Sequence, residues 1–267
     1  MHLHATPDVI PRKLDAVELV KRARSAGMRG VLLKCHSALT SDVAWLLNKL
    51  DVGTEAFGSL VLNTSSTGGL NPQAVDVAIK LGAKEIWMPT ISSAHILESE
   101  GKNPKDGITI LSETGDVLPE VIKILHLIAK ARIILGTGHI SLEETKALTE
   151  AAVDQGVEKI MVTHPEYMKI PDKAQRELAE KGAIMEHCYY ATTEIGGLLN
   201  PQQIAKQIRF VGAENCIMST DLGQVANPYP VEGMADYIDE MLSHGITRNE
   251  IEVMTKENPA KLLGLSM

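Results

Sequence analysis

The chain of 267 residues is long enough to bury a large core, which must be built mainly from aliphatic side chains, because 44% of the residues are hydrophobic and only 3% are aromatic. The formal charge of −8 and the lack of a Lys/Arg cluster argue against a nucleic-acid partner. Three widely spaced cysteines argue against a disulfide framework, and no apolar run is long enough for a membrane span, so we expect a cytoplasmic protein with no membrane partner.

The chain opens with a His-x-His motif, in which Leu3 separates His2 from His4. Side chains alternate across an extended strand, so the two imidazoles are predicted to point the same way while Leu3 packs behind them. Both imidazoles then reach a single metal ion.

Apolar segments with polar ends alternate with amphipathic segments along the rest of the chain. The predicted strands cover residues 29–36, 59–63, 85–90, 133–139, 159–164, 183–189 and 216–221. The predicted helices cover residues 15–26, 41–50, 71–82, 118–131, a segment that begins at the capping box Ser141–Glu144, and residues 172–180, 200–212, 231–243 and 248–263. Residues 91–115 are irregular, with a hairpin expected at 107–111, and are predicted to form an insertion over one end of the fold.

Eight short strands alternating with helices are typical of a (β/α)8 TIM barrel. The competing architecture is a doubly wound open sheet, but no Gly-rich dinucleotide turn follows the first strand. No linker-like stretch interrupts the alternation. We therefore predict one barrel domain that spans residues 1–267.

The strand ends collect residues that bind metals or polar substrates, and the C-terminal ends of barrel strands form the active face. Along strand five, alternation from Ile133 predicts that His139 points inward, and the same argument from Ile217 places Asp221 inward on strand eight. Three imidazoles and a carboxylate suit a divalent ion such as zinc, which acidifies a water molecule. Asp221 is predicted both to contact the metal and to accept the proton of that water. The strand ends, in order, are His2 and His4, Lys34 and His36, Asn63, Thr90, His139, His164, His187 and Asp221.

This pattern resembles the amidohydrolase superfamily. Its members carry His-x-His on strand one, histidines at the ends of strands five and six and aspartate at the end of strand eight, and the tail Glu257–Leu265 resembles their closing signature. The segments PDVIPRKLD, GMRGVLLKCH, GGLNPQAVD and IWMPT are also similar to a poorly characterised amidohydrolase-like family. The resemblance implies metal binding by His2, His4, His139 and Asp221, with His164 as a second-metal ligand or a substrate contact.

Two departures from the superfamily pattern shape the metal prediction. Strand four, EIWMPT, offers no bridging lysine or glutamate at its end, so we predict one ion rather than two, most simply zinc, with manganese, iron and nickel as alternatives. Lys34 is either a carbamylated bridge or, as we prefer, an ammonium that orients an anionic substrate group. Relatives also carry residues before the His-x-His motif. We therefore expect either that the first strand is short or that the start at Met1 is misassigned.

The predicted function is a metal-dependent hydrolase that cleaves a C–N or C–O carbonyl bond of a small polar metabolite. Non-redox decarboxylation on the same scaffold, or small-molecule binding without turnover, are the alternatives. We expect a homo-oligomer, as is common for this fold. Asp221 and His164 are the predicted catalytic residues, and the predicted substrate contacts are Lys34, His36, Asn63, Asp8, Arg12 and His187.

Overall fold

Eight strands run parallel and pair in the order of the sequence, β1 to β8, in a computed structural model that describes residues 2–266. The predicted start at Met1 falls outside the described residues. The strands are β1 (His2–Leu3), β2 (Gly30–Leu33), β3 (Glu55–Val61), β4 (Ala83–Trp87), β5 (Ile134–Gly136), β6 (Ile160–Thr163), β7 (Ala183–Cys188) and β8 (Cys216–Ser219).

Helices follow the strands, as the sequence predicts, and several begin at the predicted caps. The Ser141 side chain accepts from the backbone N–H of Glu144 and the Glu144 side chain accepts in return, which forms the predicted capping box. The helices are α1 (Ala16–Ser25), α2 (Ser41–Leu50), α3 (Thr64–Thr67), α4 (Pro72–Lys80), α5 (Ala94–Ser99), α6 (Pro119–Ala131), α7 (Leu142–Asp154), α8 (Asp172–Glu180), α9 (Pro201–Val211), α10 (Pro230–Ser243), α11 (Arg248–Glu252) and α12 (Asn258–Leu263).

The first and last strands meet at the C-terminal rim and close the sheet into a barrel. The amide of His4 donates to the carbonyl of Leu222 at 2.8 Å, and the amide of Asp221 donates to the carbonyl of His2 at 3.2 Å. The Ser219 hydroxyl also donates to the His2 carbonyl, at 3.0 Å. The joint that closes the barrel therefore also brings the N-terminal histidines next to Asp221.

The core has two layers, which is the arrangement expected of a barrel surrounded by helices. Alternate strand residues, such as Leu32, Trp87 and Ile217, fill the interior. The residues between them face the helices and form the larger outer layer. Leu262 and Leu263 of α12 pack against the interior cluster, so the C-terminal tail closes the end of the barrel opposite the polar strand ends.

The predicted insertion after β4 has more structure than expected. It contains α5, and the backbone of Ser93 bridges in parallel to Ile108 while Leu111 pairs with Val117. The predicted hairpin within residues 107–111 is therefore wrong, because its two halves pair with segments outside it. The insertion is tied to the barrel rim, since the Ser93 hydroxyl donates to the carbonyl of His139 at 2.8 Å.

Within residues 2–266, no helix combines the length and the apolar character that crossing a bilayer requires.

Candidate metal centre

Five imidazoles form a closed ring at the C-terminal end of the barrel. Four of them are predicted metal ligands and the fifth, His36, is half-buried at the end of β2. The ring centroids of successive neighbours, in the order His2, His4, His36, His139, His164 and back to His2, lie 6.1, 5.1, 5.8, 4.7 and 6.2 Å apart. The Nε2 atoms of His139 and His164 are 3.1 Å apart. Residues from four different strand ends thus meet at one place.

Asp221 joins this ring through one carboxylate oxygen. Its Oδ1 lies 2.9 Å from Nε2 of His2 and 3.1 Å from Nε2 of His4, whereas no side chain among residues 2–266 makes such a contact with its Oδ2. The backbone of Asp221 has a φ of +52°, and that of His164 has a φ of +27°. Such conformations cost free energy in residues other than glycine and are concentrated at functional sites. The chain therefore bends out of its strands where it presents both side chains.

His139 reaches the ring by a route that strand alternation did not predict. On β5, Ile134 faces the barrel interior while Ile133 and Leu135 pack in the outer layer, so the parity argument from Ile133 was wrong. The strand ends at Gly136, and Gly138 takes a φ of +64°. This turn brings His139 into the ring.

Gly138→Ala is expected to destabilise the protein and to displace His139. A β-carbon at this position would overlap the carbonyl oxygen of Met88 and would lie 2.7 Å from that of Pro89. Together with the positive φ, this overlap is expected to lower the free energy of unfolding by about 2 kcal/mol or more. Gly115→Ala is the matched control, because Gly115 also has a positive φ but a β-carbon there would point into open space. This substitution should lower the free energy of unfolding by only about 1 kcal/mol. Equal losses in urea unfolding would contradict this account.

The barrel interior beneath the ring holds two buried glutamates that the sequence analysis did not single out. Glu186 on β7 accepts a hydrogen bond from Nδ1 of His2 at 2.7 Å, and Glu85 lies on β4. The Nζ atom of Lys34 is 3.3 Å from Nε2 of His2 and 5.1 Å from the centre of the Trp87 ring. Lys34 was predicted to lie near the mouth of the barrel. Its side chain is only 1% exposed and lies deeper in the interior. A single acidic residue within an apolar barrel strand is the signal that would have identified both glutamates.

The pKa values of the two glutamates are shifted in opposite directions. Burial, reinforced by the Glu186 carboxylate, raises the pKa of Glu85 well above its usual value, which favours the protonated form. Burial acts in the same direction on Glu186, but His2 outweighs it and lowers the pKa of that carboxyl. The ionised Glu186 therefore holds the proton of His2 on Nδ1, which leaves Nε2 facing the ring.

Most imidazoles of the ring are held neutral by burial, and His2 is the exception. Burial lowers the pKa of His2 as well, but Glu186 and Asp221 outweigh it and raise that pKa. Burial lowers the pKa of His4 to about 4 and that of His164 to about 3, and it lowers the pKa of His139 well below its usual value. Burial opposes ionisation of Asp221, but His2 and the other cationic groups hold its pKa well below the usual range. His2, His4 and Asp221 each offer a ligand atom, and these atoms lie within 4.8 Å of one another. The neutral imidazoles of His4, His139 and His164 beside an ionised carboxylate fit a divalent ion such as zinc, and His2 would release its second proton when the ion binds.

Asn63 has a structural position rather than the predicted contact with substrate. Its Oδ1 accepts from the backbone amides of Thr90 and Ser92, and its Nδ2 donates to the carbonyl of His36 and the hydroxyl of Thr90. The Asn63 side chain is fully buried and its polar atoms are all engaged. Because the Thr90 hydroxyl also bonds Nδ1 of His36 at 2.8 Å, Asn63 helps to orient that imidazole.

His187 was predicted to contact substrate, but its side chain does not reach the ring. On β7 the inward positions are taken by Ile184 and Glu186, so His187 points to the outer layer and its side chain is fully buried there. Its Nδ1 is hydrogen-bonded to Glu166, which follows His164 by two residues. The pair therefore fastens the turn after β6, and that turn carries His164.

The ion pair of His187 and Glu166 predicts that stability falls at alkaline pH. Burial favours a neutral imidazole, but Glu166 outweighs it and raises the pKa of His187 to about 10. Between about pH 6.5 and 10 the folded chain keeps a proton that the unfolded chain releases, so the free energy of unfolding should fall by up to about 1.4 kcal/mol per pH unit. Urea titrations across this range measure the slope.

Glu166→Gln, which leaves the buried histidine unpaired, should lower the free energy of unfolding by about 3 kcal/mol and remove most of this pH slope. The control is Asp76→Asn, which breaks the exposed pair of Asp76 and Lys80 and should cost less than about 1 kcal/mol. An unchanged pH slope in Glu166→Gln would contradict the assignment.

Three further side chains lie at the edge of the ring. Arg12 and Asp8, both predicted substrate contacts, form an ion pair in which Nε donates to the carboxylate at 2.8 Å. Tyr167, which the sequence analysis missed, places its ring centroid 5.3 Å from that of His139 and 5.4 Å from that of His164. Burial raises the pKa of the Tyr167 hydroxyl, so it remains a hydrogen-bond donor at neutral pH.

Solved structures with the same fold include hydrolases. An amidohydrolase from Pseudomonas aeruginosa aligns with a TM-score of 0.66 at 12% identity, covering 98% of this chain and 94% of that one. An organophosphorus hydrolase from Deinococcus radiodurans aligns with a TM-score of 0.60 at 13% identity, covering 93% of this chain and 82% of that one. The predicted (β/α)8 barrel is confirmed.

A curated relative from Chloroflexus aurantiacus, described as an uncharacterized DapA-like lyase, is 39% identical over 75 residues. The match covers 25% of this chain and 25% of that protein, so the chain spans about a quarter of the length of the curated relative that it matches.

A family model described as a family of unknown function, DUF6282, matches residues 1–186. The matched part contains all five histidines of the ring, whereas Asp221 lies beyond it. Because this match covers more than half of the sequence, the chain belongs to the DUF6282 family.

Proposed function

We propose that this protein is a metal-dependent hydrolase that cleaves a C–N or C–O carbonyl bond of a small polar metabolite. The observation that carries the proposal is the ring of five imidazoles with Asp221 bonded to two of them at the active face of the barrel. The solved structures of this fold that are described as an amidohydrolase and an organophosphorus hydrolase support the same reaction class.

His2, His4, His139 and Asp221 would hold one divalent ion, with zinc as the first choice, and His164, whose Nε2 lies 3.1 Å from that of His139, would join them or contact the substrate. A bound divalent cation polarises a carbonyl and lowers the pKa of a water molecule. The neutral imidazoles need no deprotonation before they bind it, because burial already holds the pKa values of His4 and His164 far below neutrality.

The remaining residues of the site move protons and bind charge. Oδ2 of Asp221 is not engaged by His2 or His4 and is the atom that accepts the proton of the attacking water. Tyr167 and His164 lie side by side at the mouth, and the protonated Tyr167 hydroxyl donates to the oxygen on which negative charge develops. Glu186 keeps the proton of His2 on Nδ1 and so positions that imidazole.

A substrate panel of amides, esters and lactones tests the proposal. Protein reconstituted with zinc, manganese or nickel should convert at least one member to its acid, and 18O from labelled water should enter that acid. Protein treated with a chelator should be inactive until metal is restored.

Two other outcomes would replace the proposal. Release of carbon dioxide without incorporation of 18O would favour a decarboxylase, which is a lyase, as the description of the Chloroflexus relative suggests. Tight binding of a panel member without turnover by the metal-loaded protein would favour a binding protein.

A further inference from the structure

The ion pair of Asp8 and Arg12 is built more rigidly than a surface ion pair. Nε of Arg12 donates to Oδ2 of Asp8 at 2.8 Å, and the two side chains are only 3% and 0% exposed. Oδ1 of Asp8 accepts from the backbone amide of Ile10 at 3.1 Å. The carboxylate is thus held by the loop after β1, and it fixes the orientation of the guanidinium.

One end of this guanidinium has no partner. Nη2 of Arg12 is buried and makes no hydrogen bond to any of the described residues, 2–266. A buried cationic donor without a partner is costly, so proteins rarely leave one unless something else binds it. A guanidinium with a fixed orientation and a free donor has the features of an anion-binding site.

Arg12 lies beside the metal centre. Its backbone bridges to Gln224, and the amide of Lys13 donates to the carbonyl of Gly223 at 2.8 Å, so Arg12 adjoins the loop that follows Asp221. The guanidinium also contributes, after burial and nearer groups, to the lowered pKa values of His4 and His36, which places its charge beside the ring.

The geometry of the free donor suits a carboxylate better than a phosphate. The donor is one terminal nitrogen of a guanidinium whose Nε is already engaged by the Asp8 carboxylate. A phosphate dianion has more oxygens than this single nitrogen can satisfy and is repelled more strongly by Asp8, whereas a carboxylate needs fewer donors.

We propose that Arg12 is the recognition residue for a carboxylate on the substrate, so that the substrates are small carboxylate-bearing amides, esters or lactones. This inference rests on the proposed hydrolase function for the reaction, but binding of the carboxylate is independent of turnover. Asp8 acts as a positioning residue, because it holds the guanidinium without reaching the anion itself.

Isothermal titration with succinate and glutarate, the products expected from short substrates of this class, tests the proposal. Glutaramide is the uncharged probe and inorganic phosphate the competing anion, and each titration is run on zinc-loaded and on metal-free protein. Wild type should bind glutarate or succinate at least about tenfold more tightly than it binds phosphate or glutaramide.

Arg12→Gln should weaken carboxylate binding by about tenfold or more in both metal states. The double variant Asp8→Asn with Arg12→Gln should show the same loss without leaving a buried carboxylate unpaired, which guards against misfolding of the single variant. Arg22→Gln is the matched control, since Arg22 lies on α1 in half-exposed ion pairs with Glu18 and Glu232, and it should bind like wild type.

Equal carboxylate affinity in wild type and in either folded Arg12 variant would overturn the inference, as would tighter binding of phosphate or no carboxylate binding to wild type. These results are separate from a failure of the hydrolase proposal. That failure would appear as binding that depends on Arg12 without any hydrolysis of the corresponding amides and esters.

Discussion

Asp221→Asn is expected to lower kcat by at least about a thousandfold at saturating zinc, while the protein stays folded. Asparagine keeps an oxygen next to His2 and His4 but cannot accept a proton from water, and a positioned general base contributes about that factor. The backbone tolerates the change, because asparagine adopts the positive φ of +52° at this position readily. Steady-state kinetics on a substrate from the panel, with urea unfolding alongside, measures both effects.

Asp239→Asn is the control for the loss of one negative charge, because Asp239 is exposed on α10. It should leave kcat and stability unchanged. Full activity in Asp221→Asn would show that the proton moves through another group, and Tyr167 or His164 would then be the residues to replace next.

His4→Ala and His139→Ala are both expected to abolish tight zinc binding, with affinity falling by at least about a hundredfold. The two residues lie on opposite sides of the ring, at the ends of β1 and β5, and each offers a neutral imidazole. If the ring holds one ion, removal of either side chain empties the same site. Metal analysis after dialysis against a chelator should give one zinc per wild-type chain and none in either variant.

The same experiment distinguishes one ion from two. One tightly held zinc in His139→Ala, with two in wild type, would contradict the one-ion prediction and assign a second ion to His139 and His164. His244→Ala is the control, because His244 is partly exposed at the end of α10, away from the ring. Circular dichroism spectra of all variants exclude loss of the fold as the cause.

Most of the fold was predictable because barrel strands and their helices are encoded locally. The eight apolar segments and the capping box at Ser141 each follow from residues within a few positions of one another. The errors arose where the chain leaves a strand. On β5, alternation from Ile133 predicted the right residue, His139, for the wrong reason, since the turn at Gly138 and not strand parity brings it inward. His187 was placed inward by its position at a strand end, but the parity of β7 directs it outward.

By itself, the sequence determined the barrel and the set of histidines and aspartate at its strand ends, because hydrophobic periodicity and chain order suffice for both. Only the tertiary structure decided which polar groups meet and which of them carry charge. The raised pKa of Glu85, the bond from His2 to Glu186, the deep position of Lys34 and the free donor of Arg12 all depend on residues far apart in the chain. Burial and the nearest opposite charge set each of these states, and both are properties of the closed barrel rather than of any local segment.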